Sequence, residues 1–323
     1  MDRLIDCKFH RRFGAELELN TANGMVVELD EDDGDTPNGI ENVADTIHKA
    51  LNKTVIINKW HNTNNNSHWV TKPDSSCGIE VCSPILFGRK GLYSLLKVSD
   101  ALAKAKFSAD HRCSFHIHVN IADLNMDELA KIIVYYIKCE SVIFDSFPIS
   151  RKNNRYCMCI GATNMFRVND PMDPEDIIKK VSASKYHSIN AFRFMKGGGF
   201  ISGNMEKRTL EFRIAESAAC LDPVFIKNWV HFVLHFVETT RSLPWPEKYN
   251  GKPETGLAWL DPESVFGLLK FDQPGTRDMV EMRTWLINRI LQNGFTDESV
   301  SLWSSEARSV ARNEINRYIK KHR

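Results

Sequence analysis

The sequence lacks the marks of several large protein classes. Nowhere in its 323 positions do about 18 uncharged apolar residues follow one another, so no segment reads as a membrane-spanning helix. The opening stretch MDRLIDCKFHRRFG has no apolar run of signal-peptide length, and the reading is a soluble, unexported, cytoplasmic chain. Charge of one sign is missing too. Lys+Arg 42 against Asp+Glu 41 leaves a formal net charge of +1, so no global field singles out nucleic acid or an anionic membrane as a partner. The 8 cysteines form no CxxC pair and no dense framework, which fits reduced thiols better than disulfides. Cys157-Met158-Cys159 is the close pair, and without a second pair to complete a tetrahedral site it reads as thiols packed in or beside a strand. The glycine-bearing stretch KGGGFISGNMEK at 196–207 is neither a P-loop nor a dinucleotide fingerprint, and reads as a loose connection. His231 and His235 have the i, i+4 spacing of helical zinc ligands, but no acidic helper stands in the HExxH arrangement, so they read as packing histidines.

What is present is a pair of polar residues two apart, repeated three times: Glu16 and Glu18 in FGAELEL, His116 and His118 in SFHIHVN, Glu211 and Arg213 in TLEFRIAES. Each pair sits in an apolar frame (Ala15, Leu17, Leu19; Phe115, Ile117, Val119; Leu210, Phe212, Ile214), which predicts strands with one greasy face and the pairs on the other. Alone, such a pair is the wet side of a half-buried strand. Together, carboxylates, imidazoles and a guanidinium are the groups that hold a divalent metal and neutralise a polyphosphate. Three strands of one sheet are expected to aim them into a shared site.

The rest of the chain predicts helices and strands around these three. Residues 25–29 (MVVEL) read as a strand returning beside the first, 30–39 (DEDDGDTPNG) as an exposed acidic loop without EF-hand spacing, and Ile40 to Leu51 as an amphipathic helix. The segment from Val55 to Leu86 reads as a hairpin interrupted by Asn-rich sequence, with strand pieces at Trp69-Val70 and at Ile79 to Cys82 and Asp74-Ser75 in the turn. Glu80, in the middle of such a strand, is expensive if the strand is central, unless a metal or a cationic partner meets it. Helices are expected over Gly91 to Phe107, over a stripe Leu129, Ile132, Ile133, Tyr136 and Ile137 capped by Asp123 or Asn125, over Asp173 to Val181, and over Pro223 to Thr240. KYHSINAFRF at 185–194 reads as a strand. Beyond Ser242 the composition turns to Pro and Gly and then to helices near 262–269, 276–292 and 296–322.

Six blocks in this order are similar to the amidoligase family, whose catalytic domain resembles that of glutamine synthetase and glutamate–cysteine ligase: FGAELEL, WVTKPDSSCGIEVCSPIL at 69–86, SFHIHVN, SRKNNRYC at 150–157, KYHSIN at 185–190 and RTLEFRIAES at 208–217. The resemblance implies an α+β fold with a curved, mainly antiparallel sheet, helices on its outer face, a catalytic domain over 1–242 and a linker with a helical extension over 243–323. It implies an ATP-dependent carboxylate–amine ligase working through an acyl phosphate with magnesium or manganese. By similarity the metal ligands are Glu16, Glu18, Glu80, His116 and Glu211, with Glu18 and Glu80 on one ion and Glu16, His116 and Glu211 on another. His118 and Arg213 face the phosphates; Arg151, Asn154, Lys185 and Asn190 match blocks that bind nucleotide or substrate; Asp74 and Ser75 stand where an amine would be held. The partners implied are a carboxylate and an amine, small molecules or peptides. A phosphotransferase on the same sheet and a metal-dependent hydrolase remain the alternative reactions.

Overall fold

The computed structural model describes residues 10–20, 39–58, 67–152, 154–160, 173–191, 195–196, 199–200, 208–246, 260, 262–271 and 273–293. They form an α+β architecture of two compact units. The expected strand at 25–29, most of the acidic loop, the Asn-rich insertion at 62–66 and the helix at 296–322 lie outside the described residues.

One unit takes Phe9–Val119 and Ala215–Val230. Its strands are β1 (Arg12–Asn20), β2 (Val55–Ile57), β3 (Trp69–Asp74), β4 (Gly78–Cys82), the two-residue β5 (Leu86–Phe87) and β6 (Ser114–Asn120), in the order β2-β3-β4-β1-β6 with β5 paired to β1. β1 is antiparallel to both β4 and β6, so it is central here. Phe13, Ala15, Leu17 and Leu19 are buried on one face, and burial of each large aliphatic or aromatic chain contributes roughly 1.5–3 kcal/mol. A slip of one residue would turn that whole face over. The apolar alternation therefore also fixes Glu16 and Glu18 to the opposite face.

α1 (Ile40–Leu51) packs on α2 (Gly88–Lys104) and on β2 and β3, burying Ile40, Val43, Ala44 and Ile47. α2 buries Leu92, Leu95, Val98 and Leu102; it begins at Gly88, whose φ of 60° suits glycine, and ends at Lys104, before Lys106 takes a φ of 63°. The expected continuation to Phe107 stops at that left-handed turn.

The interrupted hairpin resolves into two different pairings. β3 and β4 are the antiparallel hairpin, closed through Asp74 and Gly78, the latter at φ 114°. β2 instead runs parallel to β3, with Val55 opposite Trp69 and Ile57 opposite Thr71. A tight two-residue turn joins only antiparallel strands, so β2 and β3 are not a hairpin.

The other unit takes Asn120–Ile214 and the chain from His231 onward. Its spine is α3 (Met126–Asp145), started by Asn125, whose side chain accepts the Glu128 N–H while the Glu128 carboxylate accepts the Asn125 N–H. Around α3 pack α4 (Ile149–Lys152), α5 (Pro174–Ser182), α7 (Pro262–Leu268) and α8 (Arg277–Asn293). Tyr136 of α3 sets its ring edge-on to Phe212 at 5.7 Å and to Phe236 at 6.0 Å. Phe212 belongs to β10 (Thr209–Glu216) and Phe236 to α6 (Pro223–Thr240), elements that each carry the chain from one unit into the other. β7 (Ile189–Asn190) is antiparallel to β10, and β8 (Met195–Lys196) pairs with β9 (Gly199–Phe200).

The strand expected from residue 185 begins only at Ile189, and 192–194 lie outside the described residues. His187 forms a parallel bridge to Met158, with Met158 N–H on the Tyr186 carbonyl at 2.7 Å and Ser188 N–H on the Met158 carbonyl at 2.9 Å. Those backbone groups are committed before β7 begins. Cys157 and Cys159 flank this bridge as buried thiols, the former donating to the Arg151 carbonyl and the latter to Glu140. Among the described residues no helix is long and apolar enough to cross a membrane.

Candidate active site

Four neighbouring strands present their polar residues on one face. Glu16 lies opposite His116 on one side and opposite Cys82 on the other; Glu18 lies opposite Glu80; Glu80 in turn lies opposite Lys72. His118, opposite Gly14, completes the patch. His116 Nδ1 is 3.2 Å from Glu16 Oε2, His118 Nε2 is 3.0 Å from Glu16 Oε1, and His116 Nε2 is 3.9 Å from Glu18. On β4, Glu80 Oε1 accepts from both Lys72 Nζ and the Cys82 thiol, each at 3.0 Å. Glu18, Glu80, His116 and His118 are all under one-tenth exposed.

Burying like charges side by side is unfavourable, and the protonation states register it. Burial and then the charge of Glu16 push the Glu80 carboxyl up to about 7, against the pull of Lys72 and Cys82. Glu16 goes the other way: burial would raise it, but the His118 charge with hydrogen bonds from His116 and His118 holds it well below the usual carboxylate range. Burial tends to lower Lys72, yet the Glu80 charge keeps its ammonium firmly protonated. Of the two partners that the sequence required for Glu80, the cationic one is Lys72. The donor chemistry suits a divalent cation as well, since several carboxylate oxygens and an imidazole converge on one buried face. Ligand atoms of Glu16, Glu80 and Cys82 lie within 4.8 Å of one another.

A second group of expected residues gathers on β10 and β7. Arg213 Nη1 makes a short hydrogen bond to Glu211, and Asn190 Nδ2 donates to Glu211 Oε2 at 3.4 Å across the strand pair. The Arg213 N–H is held by the Ser188 carbonyl at 2.8 Å, and its Nε reaches the Tyr156 carbonyl at 3.5 Å. Arg151 is only 2 % exposed. Its Nε and Nη2 donate to the carbonyls of Ile214 and Arg213, at 2.9 and 2.8 Å, so its contacts fasten the strand that carries Arg213. Behind it, the fully buried Glu140 accepts the Ile160 N–H at 2.8 Å and the Ser188 hydroxyl at 2.7 Å.

Asn154 and Lys185 lie beside two tyrosines instead. Asn154 Oδ1 accepts the Tyr156 N–H at 2.8 Å, and Lys185 Nζ stands 5.2 Å over the Tyr186 ring, which is edge-on to Tyr156 at 5.5 Å. Asp74 organises its own turn: Oδ1 accepts the Ser76 N–H and hydroxyl and the Cys77 N–H, and these bonds outweigh burial and lower its carboxyl. Ser75 stands exposed in the same turn.

Sequence reasoning missed Lys72 and Cys82. Both obey the period-two rule that located the other residues, Cys82 two places after Glu80 and Lys72 two before Asp74. A lysine and a cysteine near a turn carried no signal of their own until the register across β3, β4 and β1 was known.

The buried carboxylate–imidazole face thus lies on a mixed sheet. The chain belongs to the amidoligase family: the family described as "Putative amidoligase enzyme" matches residues 10–237. The chain is also similar to a solved structure described as a novel glutamine synthase homolog, at 11% identity over 95% of this chain and 70% of that one, with a TM-score of 0.41. No curated protein matches it.

Proposed function

We propose that this protein is an ATP-dependent carboxylate–amine ligase. A carboxylate and an amine do not condense in water, because the carboxylate carbon is a poor electrophile and hydroxide a poor leaving group. Phosphorylation of the carboxylate by ATP gives an acyl phosphate, which the amine displaces. The observation that carries this reading is the buried face on which β1, β4 and β6 set Glu16, Glu18, Glu80 and His116 together. In this reading Glu18 and Glu80 would hold one divalent cation, and Glu16 and His116 another. Magnesium or manganese bound there neutralises charge on the transferring phosphoryl group.

The remaining roles belong to the chain itself. Arg213 offers its planar fork to the nucleotide phosphates, and His118, fixed by Glu16, offers an imidazole to them. Arg151 positions Arg213 through the β10 backbone. Asn190, Asn154 and Lys185 contribute to nucleotide binding, and Asp74 with Ser75 receives the amine, the carboxylate holding an ammonium until it loses its proton.

The test is phosphate release from ATP and magnesium against pooled carboxylates and amines, with mass spectrometry of the products. The expected result is amine-dependent release of phosphate with a product whose mass is that of acid plus amine less water. Release that ignores the amine and leaves a stable phosphorylated acceptor would make the protein a phosphotransferase. Hydrolysis with metal and no nucleotide would make it a hydrolase.

A further inference from the structure

Cys82 is a residue of the carboxylate face that the ligase reading does not use. It extends from β4 directly across from Glu16, two places beyond Glu80. Its thiol already points at an oxygen of the face, donating to Glu80 Oε1 at 3.0 Å, and Glu16, Glu80 and Cys82 each offer a ligand atom within 4.8 Å of the others. A tetrahedral zinc ion with Zn–S of about 2.3 Å and Zn–O of about 2.1 Å sets sulfur and oxygen roughly 3.6 Å apart. The present separation of Cys82 Sγ from Glu80 Oε1 is 3.0 Å.

Magnesium and manganese take oxygen ligands and gain little from sulfur, whereas zinc-class ions bind thiolate strongly. From this geometry we propose that Glu16, Glu80 and Cys82 form a subsite for thiophilic divalent cations, at which zinc-class ions bind in competition with the hard ion of the ligase reaction. This rests on the reading of the same face as a cation site. On binding, the Cys82 S–H bond breaks, its proton leaves to solvent, and the sulfur electron pair forms the bond to the cation; no oxidant or reductant is involved. The cation takes the place of the proton that now bridges Sγ and Oε1. Lys72 donates to that same oxygen, and an ion that also gains a sulfur ligand displaces the ammonium more readily than one that does not.

The test uses the full chain, freed of metal, titrated with cobalt(II) as a spectroscopic stand-in for zinc. The expected spectrum has a thiolate-to-cobalt charge-transfer band in the near ultraviolet for the wild type, lost in both Cys82→Ser and Cys82→Ala. Zinc affinity should fall by about tenfold or more in these variants, while magnesium affinity changes little. A second measurement needs no variant: zinc should protect Cys82 of the wild type from alkylation, read by mass spectrometry of its peptide, and magnesium should not. A wild type without the band, a band that survives Cys82→Ser, or equal alkylation with either ion would overturn the proposal. None of these readouts involves turnover, so amide formation can fail while the band remains, and the band can fail while amide formation stands.

Discussion

Two pairs of histidines are buried in this chain, and their spacings alone nominate both as ligands. On β6, at strand spacing, His116 and His118 both meet Glu16, and His116 also faces Glu18. On α6, at helical spacing, His235 Nε2 donates to the Leu269 carbonyl at 2.9 Å and its ring stacks on Phe271 at 6.2 Å. The difference lies in the partners. A backbone carbonyl just beyond α7 and an aromatic face use the imidazole as a polar fastener between elements. Carboxylates on a neighbouring strand couple its charge to theirs, and such a cluster responds to any cation that enters. Spacing therefore marks a candidate, and the chemistry across from it decides.

The sharpest way to break this contrast is to remove one carboxylate from the strand pair. Glu16→Gln keeps shape and hydrogen bonding but deletes the charge that both histidines face. Turnover should fall by about 10²-fold or more, the scale on which preorganised charge stabilisation acts, read as amine-dependent phosphate release. A rate within a few fold of wild type would put His116 and His118 in the same category as His235.

Arg213→Lys asks whether β10 contributes geometry or only charge. The substitution keeps the cation and loses the fork that now meets Glu211 and the Tyr156 carbonyl. A loss in kcat/KM on the order of tenfold is expected. An unchanged rate and ATP affinity would remove Arg213 from the phosphates.

The contrast also explains what was legible beforehand. Period-two alternation in FGAELEL, SFHIHVN and TLEFRIAES located β1, β6 and β10 and the polar face of each, because successive side chains point to opposite faces and packing the apolar set on one fixes the polar set to the other. The missing HExxH helper pointed to the packing role that His235 has. Pairing between strands was not legible: the parallel docking of β2 on β3, and the start of the 185–194 strand only at Ile189, follow from pairings and a bridge that no local pattern encodes. For the same reason the sequence required a cation for Glu80 without naming Lys72, which reaches it only through the register of β3 on β4.

On the helical side of the comparison, His235→Ala leaves the Leu269 carbonyl buried without its donor. Stability should fall by about 1–3 kcal/mol, measured as the shift of the urea midpoint. The rate per folded molecule and the stabilisation by added magnesium should stay at wild-type values. A specific loss of metal response would mean that the α6 pair is also coupled to the cation, and the contrast would fail from the other side.

The smallest expected effect concerns how a carboxylate is held. Glu16 is held down by imidazoles, whereas Asp74 is held down by the neutral donors of Ser76 and Cys77, against its burial. Its folded carboxyl ionises more readily than in the unfolded chain, so its contribution to stability is complete above the unfolded value, near pH 4, and is lost as the pH falls through the lower folded value. Asp74→Asn should therefore be less stable than wild type by a constant margin from about pH 5 to 8. The two denaturation curves should converge only in acid. A margin that instead changed between pH 6 and 8 would mean that Asp74 is coupled to a group titrating near neutrality, such as an imidazole. Asp74 would then belong with the carboxylates of the strand face, and the turn that carries it would be part of the same charge-coupled network.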